Sequence, residues 1–410
     1  MSAMIDEDGT GTPRRGNARG FAGGPPDGSP GDREDLWRRL LFTLGALVVY
    51  RVGHYLPIPG LDLAAIDALR RIDFFAGGIS IPDLSIFSLG IMPYISAFII
   101  VQLASRIFPS RIFPRLGGST ERVRLGNLVR ILTMALAAFE AAGAAASLES
   151  IAGVVIVPGP LFMLMTIVSL VAGTLFLMWL AEQITVHGIG DGALVILACS
   201  ILGRLPFNLS QAFEAVRMGA VEIASVFGAL SMVTVFLAFV VFVERSERRI
   251  PLYDPGYEIG QGRSPGRYSN VPLRINPAGV LPALAAAIFV APLLQSIAAI
   301  GGTEAIALRY FSRGSGFDLL YGALIVVFAV YFNFAILEPR GAAKRPTESQ
   351  DFPRSLHVAV ATCYVAAVCV LPLTIYRWTV WPFLLSGFQI FLVGWVMVRI
   401  LERVRTSWPS

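Results

Sequence analysis

Apolar and polar positions do not alternate along this chain at a strand period, nor do they repeat at the spacing of a half-buried helix. From residue 36 onward the apolar positions gather into runs of about twenty, the length an α-helix needs to cross about 30 Å of hydrocarbon. Ten such runs are found, near 36–56, 84–104, 126–146, 159–181, 188–206, 222–243, 276–300, 318–338, 355–376 and 380–400. Pro93 interrupts the second, and Gly188, Gly190 and Gly192 interrupt the fifth. Breakers are tolerated in spanning helices where protein or a water-filled cavity satisfies the freed backbone groups. These two runs are therefore expected to face the interior rather than lipid.

Composition supports a surface turned mostly to lipid. The 410 residues are 55% hydrophobic and 15% charged, with a mean hydropathy of +0.67, whereas soluble domains carry about 25% charged residues. Residues 1–32 stand apart, rich in Gly, Pro, Asp and Arg without apolar periodicity, and read as a disordered tail. They do not have the form of a cleavable signal peptide, which places a short apolar core directly after a basic start.

Charge sets the expected orientation. With both ends in the cytoplasm, 24 of the 33 basic residues fall in cytoplasmic segments and 7 outside, as the positive-inside rule requires. The reading is a multi-pass membrane protein with cytoplasmic N- and C-termini.

Little in the spans suggests solute or ion chemistry. Arg51, Glu140, Glu182 and Asp191 lie at or near the ends of apolar runs, where snorkelling or pairing is the ordinary role. No chain of ionisable residues crosses the midplane, which weakens a coupled secondary transporter. Cys199, Cys363 and Cys369 form no spaced pattern, and His54, His187 and His357 are scattered, so no disulfide framework, metal site or cofactor is expected. No GxxxxGK[ST] phosphate loop occurs; the chain is not expected to be an enzyme.

Two polar excursions are too long for turns. The segment between the sixth and seventh runs, 244–275, contains six arginines. It reads either as a topogenic loop or as a docking surface for an acidic or nucleic-acid partner. The external segment after the first run contains FFAGGIS, an apolar stretch broken by glycines that suits a short re-entrant piece shielded by protein.

Four long stretches, in order, resemble the SecY family of protein-translocation channels. They are YLPIPGLD, IFSLGIMPYISAFIIVQL, LFLMWLAEQITVHGIGDG, and VVFVERSERRIP followed by VPLRINPAGVLPAL. The resemblance extends from about residue 36 to residue 340. It implies an all-α membrane protein, ten transmembrane helices in two inverted, pseudosymmetric five-helix halves, spanning 36–206 and 207–400, with a short tail at 401–410. Carried over position by position, a pore ring would comprise Ile91, Ile95, Ala193, Leu197, Leu284 and Leu392. A plug at about 72–84 would include Phe74, Phe75, Gly77, Gly78 and Ile79.

The resemblance also implies that the cytoplasmic loop docks a partner, with Arg248 and Arg249 at its tip and Arg263, Arg267 and Arg274 beside them. The implied partners are SecE-like and SecG-like small membrane subunits, a SecA-type ATPase motor or the ribosome, unfolded preproteins and the lipid bilayer, with no direct DNA binding. Three departures stand out: alanine at ring position 193, a short loop without Arg-Pro-Gly between the eighth and ninth runs, and QIFLVGW in the tenth. They leave open a principal channel, a divergent or accessory one, and a degenerate insertase or scaffold; a small-solute transporter is the alternative from another class.

Overall fold

The computed structural model describes residues 30–62, 84–107, 119–151, 153–219, 221–254, 258–259, 262–263, 267–300, 315–337, 354–378 and 385–407. The plug positions Phe74, Phe75, Gly77, Gly78 and Ile79 lie outside the described residues, as do residues 1–29 of the N-terminal tail and residues 338–353 between the eighth and ninth runs.

Each apolar run corresponds to one helix among the described residues. The first half contains α1 (Pro30–Gly53), α2 (Met92–Ile107), α3 (Ser119–Glu149), α4 (Pro160–His187) and α5 (Gly192–Arg217). The second contains α6 (Ile223–Arg245), α7 (Leu281–Ile300), α8 (Ser315–Leu337), α9 (Arg354–Trp378) and α10 (Gly387–Ser407). Helices α3 to α6 are by themselves long and apolar enough to cross a bilayer.

Several helix boundaries differ from those the apolar runs suggest; α1 begins at Pro30, inside the expected tail, and α3 at Ser119. Helix α5 passes through Pro206 to Arg217 instead of ending near 206. Its last turns expose Phe207 and Phe213 but bury Ala212 against Val226 of α6, a packing site that hydropathy alone does not register. Helix α2 starts at Met92 rather than 84, because the chain turns through Gly90 at φ +62°. Helix α10 starts at Gly387 and continues to Ser407, so most of the expected tail is helical.

Beyond Arg245, where α6 ends, the described residues of the 244–275 loop form strands. Strands β1 (Glu247–Asp254) and β4 (Arg267–Arg274) pair antiparallel from Glu247↔Arg274 to Asp254↔Arg267. The short β2 (Glu258–Ile259) and β3 (Gly262–Arg263) extend the arm, with Glu258 opposite Arg263. Pairing satisfies backbone donors and acceptors that a long excursion between helices would otherwise leave to water. The membrane portion is all-α, and this hairpin is an addition to it.

Helix contacts repeat between the halves. In the first, α2 packs on α3, α3 on α4 and α4 on α5; in the second, α7 packs on α8, α8 on α9 and α9 on α10. Between halves, α2 meets α7, α5 meets α10, α1 meets α10 and α6 meets α5. Exchanging the halves maps this pattern onto itself. A repeat of five spans has an odd number of crossings, so the second copy starts on the opposite face, and the repeat is inverted.

Small residues allow close packing where hydrophobicity supplies no drive between helices in lipid. Ala137, Ala141 and Ala145 of α3 are fully buried, one turn apart on one face. On α4 the buried positions include Leu170, Thr174, Leu177, Ala181 and Ile184, a helical stripe, while Leu161, Leu164 and Val168 are exposed on its outer side.

Candidate functional site: an apolar constriction between two helical halves

Local chemistry fixes the four helix segments that carry the six candidate ring positions. On α2, Ile91 closes the turn before the helix, Pro93 occupies the first turn, where its missing N–H leaves no bond unmade, and Ile95 N donates to Ile91 O at 3.2 Å. On α5, the Asp191 carboxylate caps the helix, accepting from Ala193 N at 3.1 Å and Leu194 N at 3.5 Å. The preceding turn is held by Gly192 N donating to Thr185 Oγ1 at 2.9 Å and Ile189 N donating to Thr43 Oγ1 of α1 at 3.0 Å. Gly192 is required sterically: a Cβ there would lie 2.0 Å from Ala181 O.

On α7, Leu284 sits in the first turn, its N–H donating to Val280 O at 3.1 Å. On α10, Ser386 and Gln389 form a reciprocal capping box, Ser386 N to Gln389 Oε1 at 2.9 Å and Gln389 N to Ser386 Oγ at 3.4 Å. Leu392 follows one turn later.

All six positions are buried. Leu284 and Leu392 are fully enclosed, Ile91 and Ile95 nearly so, and Ala193 is the most open at 9% exposure. All belong to one hydrophobic cluster that also takes in Ile99 of α2, Ile196 of α5, Val240 of α6, Ile325 of α8 and Phe391 of α10. That cluster joins the halves, whereas the cluster around Ile58, Leu148 and Phe162 lies within the first half alone.

On the side away from the hairpin, the ends of the segment 63–83 are held together. Ile58 N donates to Leu84 O at 3.2 Å and Ile86 N to Leu56 O at 3.0 Å. The same stretch is tied to the α3–α4 connection by Asp62 N to Val154 O at 2.9 Å and Ile156 N to Gly60 O at 3.1 Å.

Among the charged residues noted in the sequence, Glu182 of α4 makes a forked pair with Arg130 of α3, Nη2 to Oε2 at 2.9 Å and Nε to Oε1 at 3.2 Å. Arg51 donates to Gly203 O at 3.2 Å, beside the Pro206 break in α5, and stacks over Tyr55. Asp191 is the α5 cap, and Glu140 is exposed on α3. These contacts place Arg51, Arg130, Glu182 and Asp191 in structural roles.

Of the candidate docking arginines, Arg248, Arg249, Arg263 and Arg267 lie on the hairpin strands, in register with Leu273, Pro272, Glu258 and Asp254. Arg274 differs. Its guanidinium turns back to pair with Glu402 of α10 and lies 4.0 Å from Glu247.

Sequence reasoning missed a buried polar cluster at the root of the hairpin. Asn276 Nδ2 donates to Glu244 Oε1 and to Gly279 O, both at 3.1 Å. Asn333 Oδ1 of α8 accepts from Ala278 N at 3.3 Å, and its Nδ2 donates to Ala329 O at 2.8 Å. Glu244, Asn276 and Asn333 are at most 3% exposed. Their signal was visible: single polar residues at the edges of apolar runs, where lipid offers them no partner.

Two five-helix units related by an inverted repeat and joined by one shared buried apolar cluster define the architecture of a multi-pass membrane protein. The SecY family profile matches residues 85–401. The protein translocase subunit SecY of Escherichia coli K12 is 32% identical over 411 aligned residues, covering 92% of each chain. The chain belongs to the SecY family. Among solved structures, one of a protein conducting channel aligns with a TM-score of 0.60 at 16% identity, covering 90% of this chain and 92% of that one. Sec61 in the canine ribosome–channel complex from the endoplasmic reticulum aligns with the same score, identity and coverage. These two likenesses establish the ten-helix fold.

Proposed function

We propose that this protein is the pore-forming subunit of a protein translocase, passing unfolded preproteins across the bacterial inner membrane and releasing apolar segments sideways into lipid. The observation that carries this reading is the buried apolar cluster shared by both halves, which contains all six ring positions. An apolar constriction excludes ions by dewetting, yet it holds its walls together only by packing, so a threading chain can part them. Ile91, Ile95, Ala193, Leu197, Leu284 and Leu392 form that gasket, and the segment at about 72–84 seals it from outside. The α2–α7 seam is the lateral exit, and the turn between α5 and α6 is the hinge. The first half runs through α5 and the second from α6.

The excess of basic residues in alternate connections supports a cytoplasmic position for the hairpin and both termini. Arg248, Arg249, Arg263 and Arg267 present the partner-binding charge, and Arg274 acts as an internal strut. Channel likeness and the absence of a phosphate-binding loop in the sequence support a conduit that hydrolyses nothing itself. The motor or ribosome supplies the energy, and SecE-like and SecG-like subunits brace the bundle.

The test is site-specific crosslinking from a secretory chain arrested in transit. Photo-crosslinkers at Ile95 and Leu284 should capture the chain, and one at the outward-facing Leu164 should not. Capture at Leu164 with none at the two ring positions would reject the pore assignment.

A further inference from the structure

The short connector from the hairpin into α7 is pinned to three different helices by polar contacts. Arg274, the last residue of β4, pairs with Glu402 of α10. Two residues on, Asn276 donates to Glu244 at the end of α6. Two further on, Ala278 N donates to Asn333 of α8. Gly279 follows at φ +58°, so close under the Trp395 ring that a Cβ would lie 2.5 Å from Nε1. Leu284, a candidate ring residue, is five positions beyond.

Of these contacts, the Glu244–Asn276 bond alone joins two buried side chains, one on α6 and one in the connector, with Glu244 2% and Asn276 3% exposed. A buried carboxyl keeps its place only where its acceptors are used. Yet the cluster is not saturated: Asn276 Oδ1 is buried without a hydrogen-bond partner. Tyr364, on α9, lies against the same carboxyl. A second donor therefore stands beside Glu244, able to take up the acceptor that Asn276 would vacate. Such an arrangement lowers the cost of separating the connector from α6, since the carboxyl need not be orphaned.

We propose that Glu244 is a positioning residue whose hydrogen bond to Asn276 latches the first turn of α7, and with it Leu284, in the closed arrangement. Tension on the hairpin reaches this bond through β4 and Arg274, and breaking it frees α7 to move from α2 at the seam. The inference rests on the channel reading of the ring and adds a specific bond that holds it shut.

The test uses the full chain with its membrane subunits in proteoliposomes, reading ion flux without any cytoplasmic partner. E244A and N276A should each raise the resting flux about tenfold, the weight of a single buried hydrogen bond. The double variant should add little to either single one, because they remove the same bond. E244Q, whose amide oxygen can still accept from Asn276, should remain near the parent.

A polar gasket variant, L284N, separates this inference from its foundation. If L284N leaks while E244A and N276A stay tight, the latch is wrong and the channel reading stands. If L284N does not leak, the channel reading itself fails. Leakage by E244Q equal to that of E244A, or full additivity in the double variant, would also overturn the latch. If E244A fails to assemble, N276A alone decides by the same flux measurement.

Discussion

Gly173 of α4 and Ile86 below α2 approach so closely that a Cβ on the glycine would lie 2.2 Å from the Ile86 carbonyl oxygen. Only a hydrogen fits between the two backbones. The close approach seats the turn 85–91 in the groove of α4 and so sets the height at which Ile91 enters the apolar cluster.

Gly173→Ala should therefore displace that turn. Overpacking of a well-filled site costs about 1–3 kcal/mol, and the expected result is a lower unfolding temperature in detergent together with increased ion leak through reconstituted channels. Gly143→Ala, on α3 where a Cβ would meet nothing within 4 Å, is the control. It should leave both readings unchanged or raise stability slightly, since alanine favours the helix. Equal effects at the two sites would mean that the Gly173 contact does not govern the turn.

The number of helices was legible in the sequence because bilayer thickness imposes one length on every span, whatever its neighbours. Their ends were less so. Pro206 looked like a terminus, but α5 continues past it because Ala212 finds a buried site against Val226, a tertiary fact. The start of α10 was readable in principle from Ser386 and Gln389, a capping pair directly before an apolar stretch. The hairpin was obscured by Pro251 and Pro272 and by dense charge, which read as loop. The ring positions came from resemblance: Leu284 or Leu392 alone is indistinguishable from packing, and only the fold brings them into a shared cluster. Glu244 and Asn276 are separated by the whole hairpin, so the pairing of the two strands, not their spacing, joins them.

The α10 cap offers a prediction confined to one helix end. Ser386→Ala removes the hydroxyl that accepts from Gln389 N and should cost about 1 kcal/mol. Hydrogen exchange should quicken at the amides of residues 387–390 and stay unchanged at the far end of α10. Uniform quickening along the helix would show that the cap supports α10 as a whole.

The Arg130–Glu182 pair joins α3 to α4 with forked geometry, but Arg130 is 55% and Glu182 32% exposed. Pairs this open contribute about 0.2–1 kcal/mol. A double-mutant cycle with Arg130→Gln and Glu182→Gln should return a coupling in that range, shrinking as salt rises. Preprotein transport should persist in both variants. A coupling above about 2 kcal/mol would indicate a site drier than its exposure suggests.

Ala193 is the smallest side chain at the six ring positions and the least enclosed, at 9% exposure. Its backbone is fixed independently of its size, because Asp191 caps the helix through Ala193 N and Leu194 N and Gly192 sets the turn. A larger residue at 193 would therefore extend toward the constriction without moving α5. Ala193→Val adds two methyl groups and suits the ring's apolar chemistry; as a small-to-large change at a buried site it should cost about 1–3 kcal/mol of stability. Resting ion flux should fall severalfold and chain transit should slow, since the added groups must part with the rest. Ala193→Ser, nearly equal in size but polar, should leave packing intact and raise flux, because a hydroxyl favours water where the seal depends on its exclusion. Flux that rises with valine and is unmoved by serine would place residue 193 outside the constriction, leaving α5 represented there by Leu197 alone.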